Sequence, residues 1–294
     1  MDNKTNIRLT AAELSSLWSQ YVNDTASVCV LEHSLTKVED EEVRPVIEYA
    51  LNCSLRHIEE LHTLFTKDDV PIPVGFSKKD VKLDAPKLLS DTFTLMYLRQ
   101  MSILAMTTSS LAIGVVTRSD VVSFHQSVLQ ESVTLQDLSR EVMLKQGTYI
   151  RPPFISTPDH VDFVQKHSFL AGFIGERRPL TAIEITHLFI NVQTNAIGKT
   201  LMMAFSQCAN NEEITQYFLK GKKISQKHID LFSSVLKKED LPAPMSWDTA
   251  VTDSTYSPFS DKLMMFHTTA MIAAGIGNYG TAMAASPRRD IAFK

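Results

Sequence analysis

Cysteine is scarce in this chain: Cys29, Cys53 and Cys208 are the only ones among 294 residues. Three scattered thiols cannot build a disulfide framework or a zinc site, and they read as small core residues of a reducing compartment. No glycine-rich loop follows a strand-like run, so a phosphate cradle is excluded. Neither a Gly-x-Ser-x-Gly elbow nor a His-Glu-x-x-His pair occurs, which removes the usual sequence grounds for serine-hydrolase or zinc-protease chemistry. There is no basic block, and the net charge is −4. A nucleic acid therefore has no electrostatic foothold here. Residues 1–8 are polar and lack the apolar run of a signal peptide, so the expected location is cytoplasmic.

What the chain has instead is a repeat. With a shift of 171, Asp40-Glu-Glu-Val43 becomes Asn211-Glu-Glu-Ile214, and Ser54, Arg56, His57 and Ile58 become Ser225, Lys227, His228 and Ile229. Asp69-Val-Pro71-Ile-Pro73 likewise becomes Asp240-Leu-Pro242-Ala-Pro244. Each copy opens with a capping box, Thr10-Ala-Ala-Glu13 and Thr181-Ala-Ile-Glu184, in which threonine and glutamate each satisfy an orphan amide. Leu9 and Leu180 before the cap, with Leu14 and Ile185 after it, have the spacing of a hydrophobic staple.

The first helix carries an apolar stripe of Leu14, Leu17, Trp18, Tyr21, Val28, Leu31 and Leu35. A second is expected from Asp40, with Val43, Ile47, Ala50, Ser54, His57, Leu61 and Leu64 inward; a short loop makes the two antiparallel. Residues 67–85 and 238–257 are linkers of some 20 residues. A ~26-residue helix is about 39 Å long, and such a linker reaches up to roughly 65 Å, so it can run the length of a bundle. A tight hairpin followed by a long crossover is the pattern of ferritin-like bundles. Third helices are expected over 86–116 and 258–285, and a fourth over 119–146, ended by Gly147. Residues 159–173 are a candidate bridging helix.

The third helices are nearly uncharged, long enough to admit a membrane span. Asn278 and the run Gly275-Ile-Gly-Asn-Tyr-Gly280 are too polar and glycine-rich for lipid, and a buried helix with packing glycines is expected instead. Thr117-Arg-Ser-Asp120 opens the fourth helix, and Pro287-Arg-Arg-Asp290 matches it just before the last residue given. The second bundle is therefore expected to lack most of its fourth helix. An open apolar groove is expected there, and with it self-association.

A ferritin-like fold invites a search for a di-iron site, but Glu59-x-x-His62 faces away from the stripe that carries His57, at 100° per residue. Glu32 and His33 read as an exposed or half-buried helix end. A smaller cluster survives: Asp24, His57, Glu60 and Glu131 fall at similar heights and could hold one transition-metal ion, iron, manganese or zinc. The plainer reading, a core histidine hydrogen-bonded to a carboxylate, is preferred. At the matching places the second copy has Asn195 and His228.

The doubled Leu-Thr-x-x-Glu start, Gly75-Phe-Ser77, Ser260-Asp-Lys-Leu263 and Arg151-Pro-Pro153 together resemble the tandem ferritin-like proteins of unknown function found in spore-forming bacteria. The resemblance covers nearly the whole chain. It implies two four-helix bundles in one polypeptide, a complete last helix in most members, and no established activity from which to carry over catalytic residues. The expectation is an all-α protein: a first bundle over residues 1–150, a connection over 151–178 and an incomplete second bundle over 179–294. Its expected function is structural or interactive without catalysis, with a metal-binding bundle suited to redox chemistry as the alternative; the question of enzyme activity stays open.

Overall fold

The structure is a computed structural model that describes residues 7–161, 163–164, 167–170 and 178–292. Among these the chain is all-helical, with no strand beyond an isolated antiparallel bridge between Val81 and Phe259. No described helix is long and apolar enough to cross a membrane.

Helix α1 (Ala11–Lys37) starts on the expected capping box: the Thr10 hydroxyl accepts from the Glu13 amide and the Glu13 carboxylate accepts from the Thr10 amide at 2.8 Å. Leu9 packs into the core, but Leu14 is exposed, so the first staple is not buried. Helix α2 (Arg44–Lys67) starts four residues later than expected. Asp40 first caps a separate turn, its side chain accepting from the Glu42 amide at 2.9 Å and its carbonyl from the amides of Val43 and Arg44. A Schellman closure ends α2, with the Val70 amide donating to the Phe65 carbonyl and the Asp69 amide to that of Thr66. Asp69 takes the left-handed conformation there (φ 53°), which aspartate tolerates better than most residues.

Residues 68–90 then form a strap along α1. Its rungs follow α1 upward: the Thr25 hydroxyl accepts from the Phe76 amide at 3.1 Å, the Cys29 thiol donates to the Ser77 carbonyl, and near the top His33 Nε2 meets the Ala85 carbonyl at 3.2 Å and Thr36 donates to the Leu83 carbonyl. The first rung needs Gly75, because a Cβ there would stand 2.3 Å from the Thr25 hydroxyl oxygen. The strap also corrects one expectation. His33 is buried, not a half-exposed helix end, because strap residues cover that face and the Phe259 ring seals it at 5.5 Å.

Helix α3 (Asp91–Ile113) begins later than expected because residues 86–90 still belong to the strap; Ser90 caps it. Asp91 accepts from the amides of Glu39 and Asp40 at 3.0 Å each, so α3 starts where α1 ends. Helix α4 (Ser119–Lys145) starts beside the start of α1, where Glu13 accepts from the amides of Thr117 (3.0 Å) and Arg118 (2.8 Å). It ends beside the start of α2, where Gln146 donates to Asp40 and Lys145 pairs with Glu42. Thus α2 and α3 run parallel, each antiparallel to its hairpin partner. Packing is chiefly α1 on α2 and α3 on α4, with α2 also against α4.

The chain divides into two compact units. One is Met1–Tyr149 with Cys208–Asn210 and Thr252–Met265; the other is Ile150–Gln207, Asn211–Val251 and Phe266–Lys294. Residues 252–265 are fastened to the first strap by the Lys82 amide on the Pro258 carbonyl and by Ser260 on Asp80, both 2.8 Å. The remaining helices are α5 (Ala182–Cys208), α6 (Glu212–Lys237), α7 (Asp261–Ala285) and α8 (Arg289–Ala292). Devices of the first half recur at a shift of 170–171. Thr181 and Glu184 form the same box, Ile185 is buried, and Asp240 repeats the left-handed turn (φ 55°). Arg118 holds Asp68 at 2.6 Å and Asp120 at 2.8 Å, and Arg288 holds Glu239 at 3.1 Å and Asp290 at 3.0 Å.

Two expectations change in the second half. Helix α7 is not buried on most sides: Ile272, Ile276 and Met283 are exposed, and a Cβ at Gly275, Gly277 or Gly280 would meet nothing within 4 Å. Those glycines therefore pack against nothing among the described residues. Of the expected bridging helix at 159–173, a 3-10 turn stands at His167–Leu170, while residues 162, 165, 166 and 171–173 lie outside the described residues.

Candidate polar site in the first unit

Three helices place ionisable groups around His57. The ring is 7% exposed on the inward stripe of α2. Its Nδ1 lies 3.3 Å and 3.5 Å from the two carboxylate oxygens of Asp24 on α1, and its Nε2 lies 2.8 Å from Glu131 on α4. Ionised carboxylates only accept, so a ring that bonds both must donate from both nitrogens and is an imidazolium. Burial alone would lower the His57 pKa, but Asp24 and then Glu131 outweigh it and hold the pKa above its ordinary value. Glu131 shows the reciprocal effect. Burial would raise its pKa, yet the guanidinium of Arg56 at 3.0 Å and the charge on His57 bring it below the usual carboxylate range.

The surrounding groups complete this ion cluster. Gln20, one turn before Asp24, donates to it at 2.8 Å, and Ser127, one turn before Glu131, donates at 3.3 Å. The Phe124 ring of α4 stands edge-on to His57, with centroids 5.9 Å apart. Its neighbour His125 is buried, with Nε2 on the Ser16 hydroxyl at 3.0 Å and no partner among the described residues for Nδ1. Burial, and then the charge on His57, push the His125 pKa down to about 4, so that ring is neutral.

Of the four residues expected to meet, three do: Asp24, His57 and Glu131. Glu60 is exposed on the flank of α2, and Arg56 occupies the place beside Glu131. The set suits an ion cluster better than a metal. The two ring nitrogens point away from each other, so carboxylates bonded to opposite nitrogens cannot share one ion that the ring also ligates. Arg56 adds positive charge where a cation would sit. The Cys53 thiol is pushed up to about 11 by burial and then by Glu131, so it supplies no thiolate. Among the described residues, no three His, Cys, Asp or Glu side chains are grouped so as to hold a metal ion.

Sequence reasoning missed Arg56, Gln20 and Ser127, although i,i+4 spacing to the carboxylates signalled the last two. It also missed Tyr279. In the second unit His228 Nδ1 meets the Tyr279 hydroxyl at 2.9 Å, and that hydroxyl bonds the Asn195 amide at 2.8 and 2.9 Å. The Tyr279 ring stands edge-on to His228 at 5.4 Å. Burial, and then nearby Lys227, lower the His228 pKa. The first unit therefore has a charged histidine and the second a neutral one at matching positions.

A search of curated proteins returned no match. A crystal structure from Bacillus halodurans C-125, described as that of a "putative spore coat protein", is 18% identical over 53% of this chain and 100% of that one, with a TM-score of 0.47. A likeness at that level carries no argument about this chain. A family model described as "Protein of unknown function (DUF3231)" matches residues 1–161 and 168–294, and the chain belongs to that family.

Proposed function

We propose that this is a structural or interaction protein without catalysis, built as an internal repeat of two ferritin-like helical bundles in tandem. The bundles are taken to occupy residues 1–150 and 179–294, joined through 151–178, in a protein of the cytoplasm. Support for the repeat comes from the shared caps, left-handed turns and arginine clamps at a shift of 170–171, and from the two segments that the family model matches. Support for the ferritin-like topology comes from the crossover strap in the first unit.

The observation that carries the functional reading is how the buried ions are used. Asp24, His57, Glu131 and Arg56 bond one another, as do Glu13, Arg118, Asp68 and Asp120 with the helix ends. Groups committed in this way fix helix pairing and do not wait for a substrate. Apolar side chains left in the open, among them Val74, Leu111 and Val115, support self-association. Light scattering on the eluting protein tests it: a mass that is a multiple of 32.9 kDa is expected, and a monomer at every concentration contradicts it.

The second reading is one iron, manganese or zinc ion at Asp24, His57, Glu60 and Glu131. What favours it is the meeting of nitrogen and oxygen donors around His57. Elemental analysis of untagged protein decides: the ion cluster predicts no stoichiometric metal, and about one ion per chain lost in His57→Leu establishes the metal site.

A further inference from the structure

The strap of the first unit carries an apolar tip. Val74 follows Pro71-Ile-Pro73 just before the strap reaches its first rung on α1, and its side chain is 92% exposed. Ile72 and Trp18 are exposed as well, and Trp18 stands about two turns before Thr25 on the same face of α1, the face that receives the strap. Pro71 and Pro73 have no amide hydrogen, so this stretch brings few bare donors to an apolar medium. At the matching place of the second strap, Met245 is 61% exposed.

Lysines follow the first tip. Lys78, Lys79, Lys82 and Lys262 are all exposed, and the ion-paired lysines among the described residues are others: Lys67, Lys87, Lys145 and Lys199. The Lys262 Nζ lies 3.5 Å from the Gly75 carbonyl oxygen and 4.5 Å from the centre of the Phe76 ring, so its charge stands next to the tip. Lys82 Nζ lies 4.6 Å over the exposed Tyr256 ring. Each ammonium thus rests against an aromatic face and keeps its other side in water. Between Val74 and Leu83 the one carboxylate is Asp80, and it accepts from the Ser77 amide at 3.0 Å and the Ser260 hydroxyl at 2.8 Å. The second strap has no such row: Asp248, Thr249 and Ala250 stand where the first has Ser77, Lys78 and Lys79.

We propose that the first strap docks on an anionic lipid surface, with Val74 and Ile72 entering the headgroup layer and Lys78, Lys79, Lys82 and Lys262 meeting lipid phosphates. This is attachment to a surface and not a span, since no described helix is long and apolar enough to cross a membrane. A side chain as open as Val74 suits a soft layer that closes over it, whereas a protein partner would need a pocket already shaped to it. A two-fold contact between copies would set these lysines against one another. The inference goes beyond the interaction reading: it gives Val74 to lipid and leaves Leu111 and Val115 to self-association, so either test can fail alone.

The test is co-sedimentation of the full chain with vesicles of equal parts phosphatidylcholine and phosphatidylglycerol, and with vesicles of phosphatidylcholine alone. Binding to the first and not the second is expected, falling as salt is raised. Lys78→Gln combined with Lys79→Gln should weaken it about 25-fold, at about fivefold for each lysine near an anionic surface. Val74→Glu is expected to weaken it by at least about tenfold, and Met245→Glu, which changes the net charge equally, by less than about twofold. Both side chains are exposed, so both variants should keep the helicity of the parent by circular dichroism. No binding to the mixed vesicles, equal binding to both kinds, or the same affinity in Val74→Glu and Met245→Glu overturns the proposal. A chain that binds poly-glutamate and no vesicle also overturns it, giving the lysines to an acidic polypeptide.

Discussion

His57 and His228 occupy matching places on α2 and α6, yet their surroundings are opposite in charge. In the first unit α1 supplies Asp24 and α4 supplies Glu131, and burial between two carboxylates favours the protonated ring. In the second unit the carboxylate on α5 has become Asn195, the ring that stands edge-on comes from Tyr279 of α7, and burial favours the neutral form. Phe124 does for His57 sterically what Tyr279 does for His228, but the tyrosine also brings a hydroxyl that closes the hydrogen bonds. One position in a helical bundle can thus carry an ion cluster or a neutral network, and the facing helix decides which. The neutral version is complete within α5, α6 and α7, whereas the charged version needs α4.

Removing each histidine breaks the comparison most severely. His57→Leu strands Asp24 and Glu131 without their shared cation, and a loss of about 3–5 kcal/mol is expected from chemical denaturation. His228→Leu removes one neutral hydrogen bond and should cost about 1 kcal/mol. Equal losses would mean that the two sites are not different in kind. Tyr279→Phe comes next: it leaves Asn195 and His228 without their common hydroxyl, for about 1–3 kcal/mol, read as a lower denaturant midpoint. Asp24→Asn sharpens the contrast by giving the first unit the second unit's residue. The His57 pKa should fall by about one unit or more in an NMR titration, with the fold retained.

The smallest effect is on stability against pH, and its sign differs between the units. The unfolded ring titrates near 6.5. Because the folded pKa of His57 is raised, its contribution is complete below about 6.5 and is lost as the pH climbs through the folded value. Because that of His228 is lowered, its contribution is present above 6.5 and is lost as the pH falls through the folded value. Reversing the two charges' neighbours, with Asp24→Asn and Asn195→Asp in one chain, should exchange the two trends in denaturation curves at several pH values.

Much of this architecture is legible in the residues alone. Thr10 with Glu13 and Thr181 with Glu184 announce two helix starts, since a capping box is a local device that needs no knowledge of the fold. The link between His57, Asp24 and Glu131 is also legible, because helical periodicity and the height along each helix place them together. What sequence reasoning loses is contact made by side chains on a flank or across long separations. Glu60 lies one turn beyond Arg56 on the same flank of α2, and only the height and position of α4 decide which one meets Glu131. His33 is buried by a strap some 50 residues away, and periodicity within α1 carries no trace of it. The openness of α7 was hidden for a similar reason: a helix without charge reads as buried whether or not a partner covers it.

The direct test of the difference between the units is an NMR titration of the ring protons of His57 and His228 in the same full-length chain. The ion cluster and the neutral network predict that His57 titrates above 6.5 and His228 below it. His57 titrating at or below the value of His228 would contradict the account at its centre.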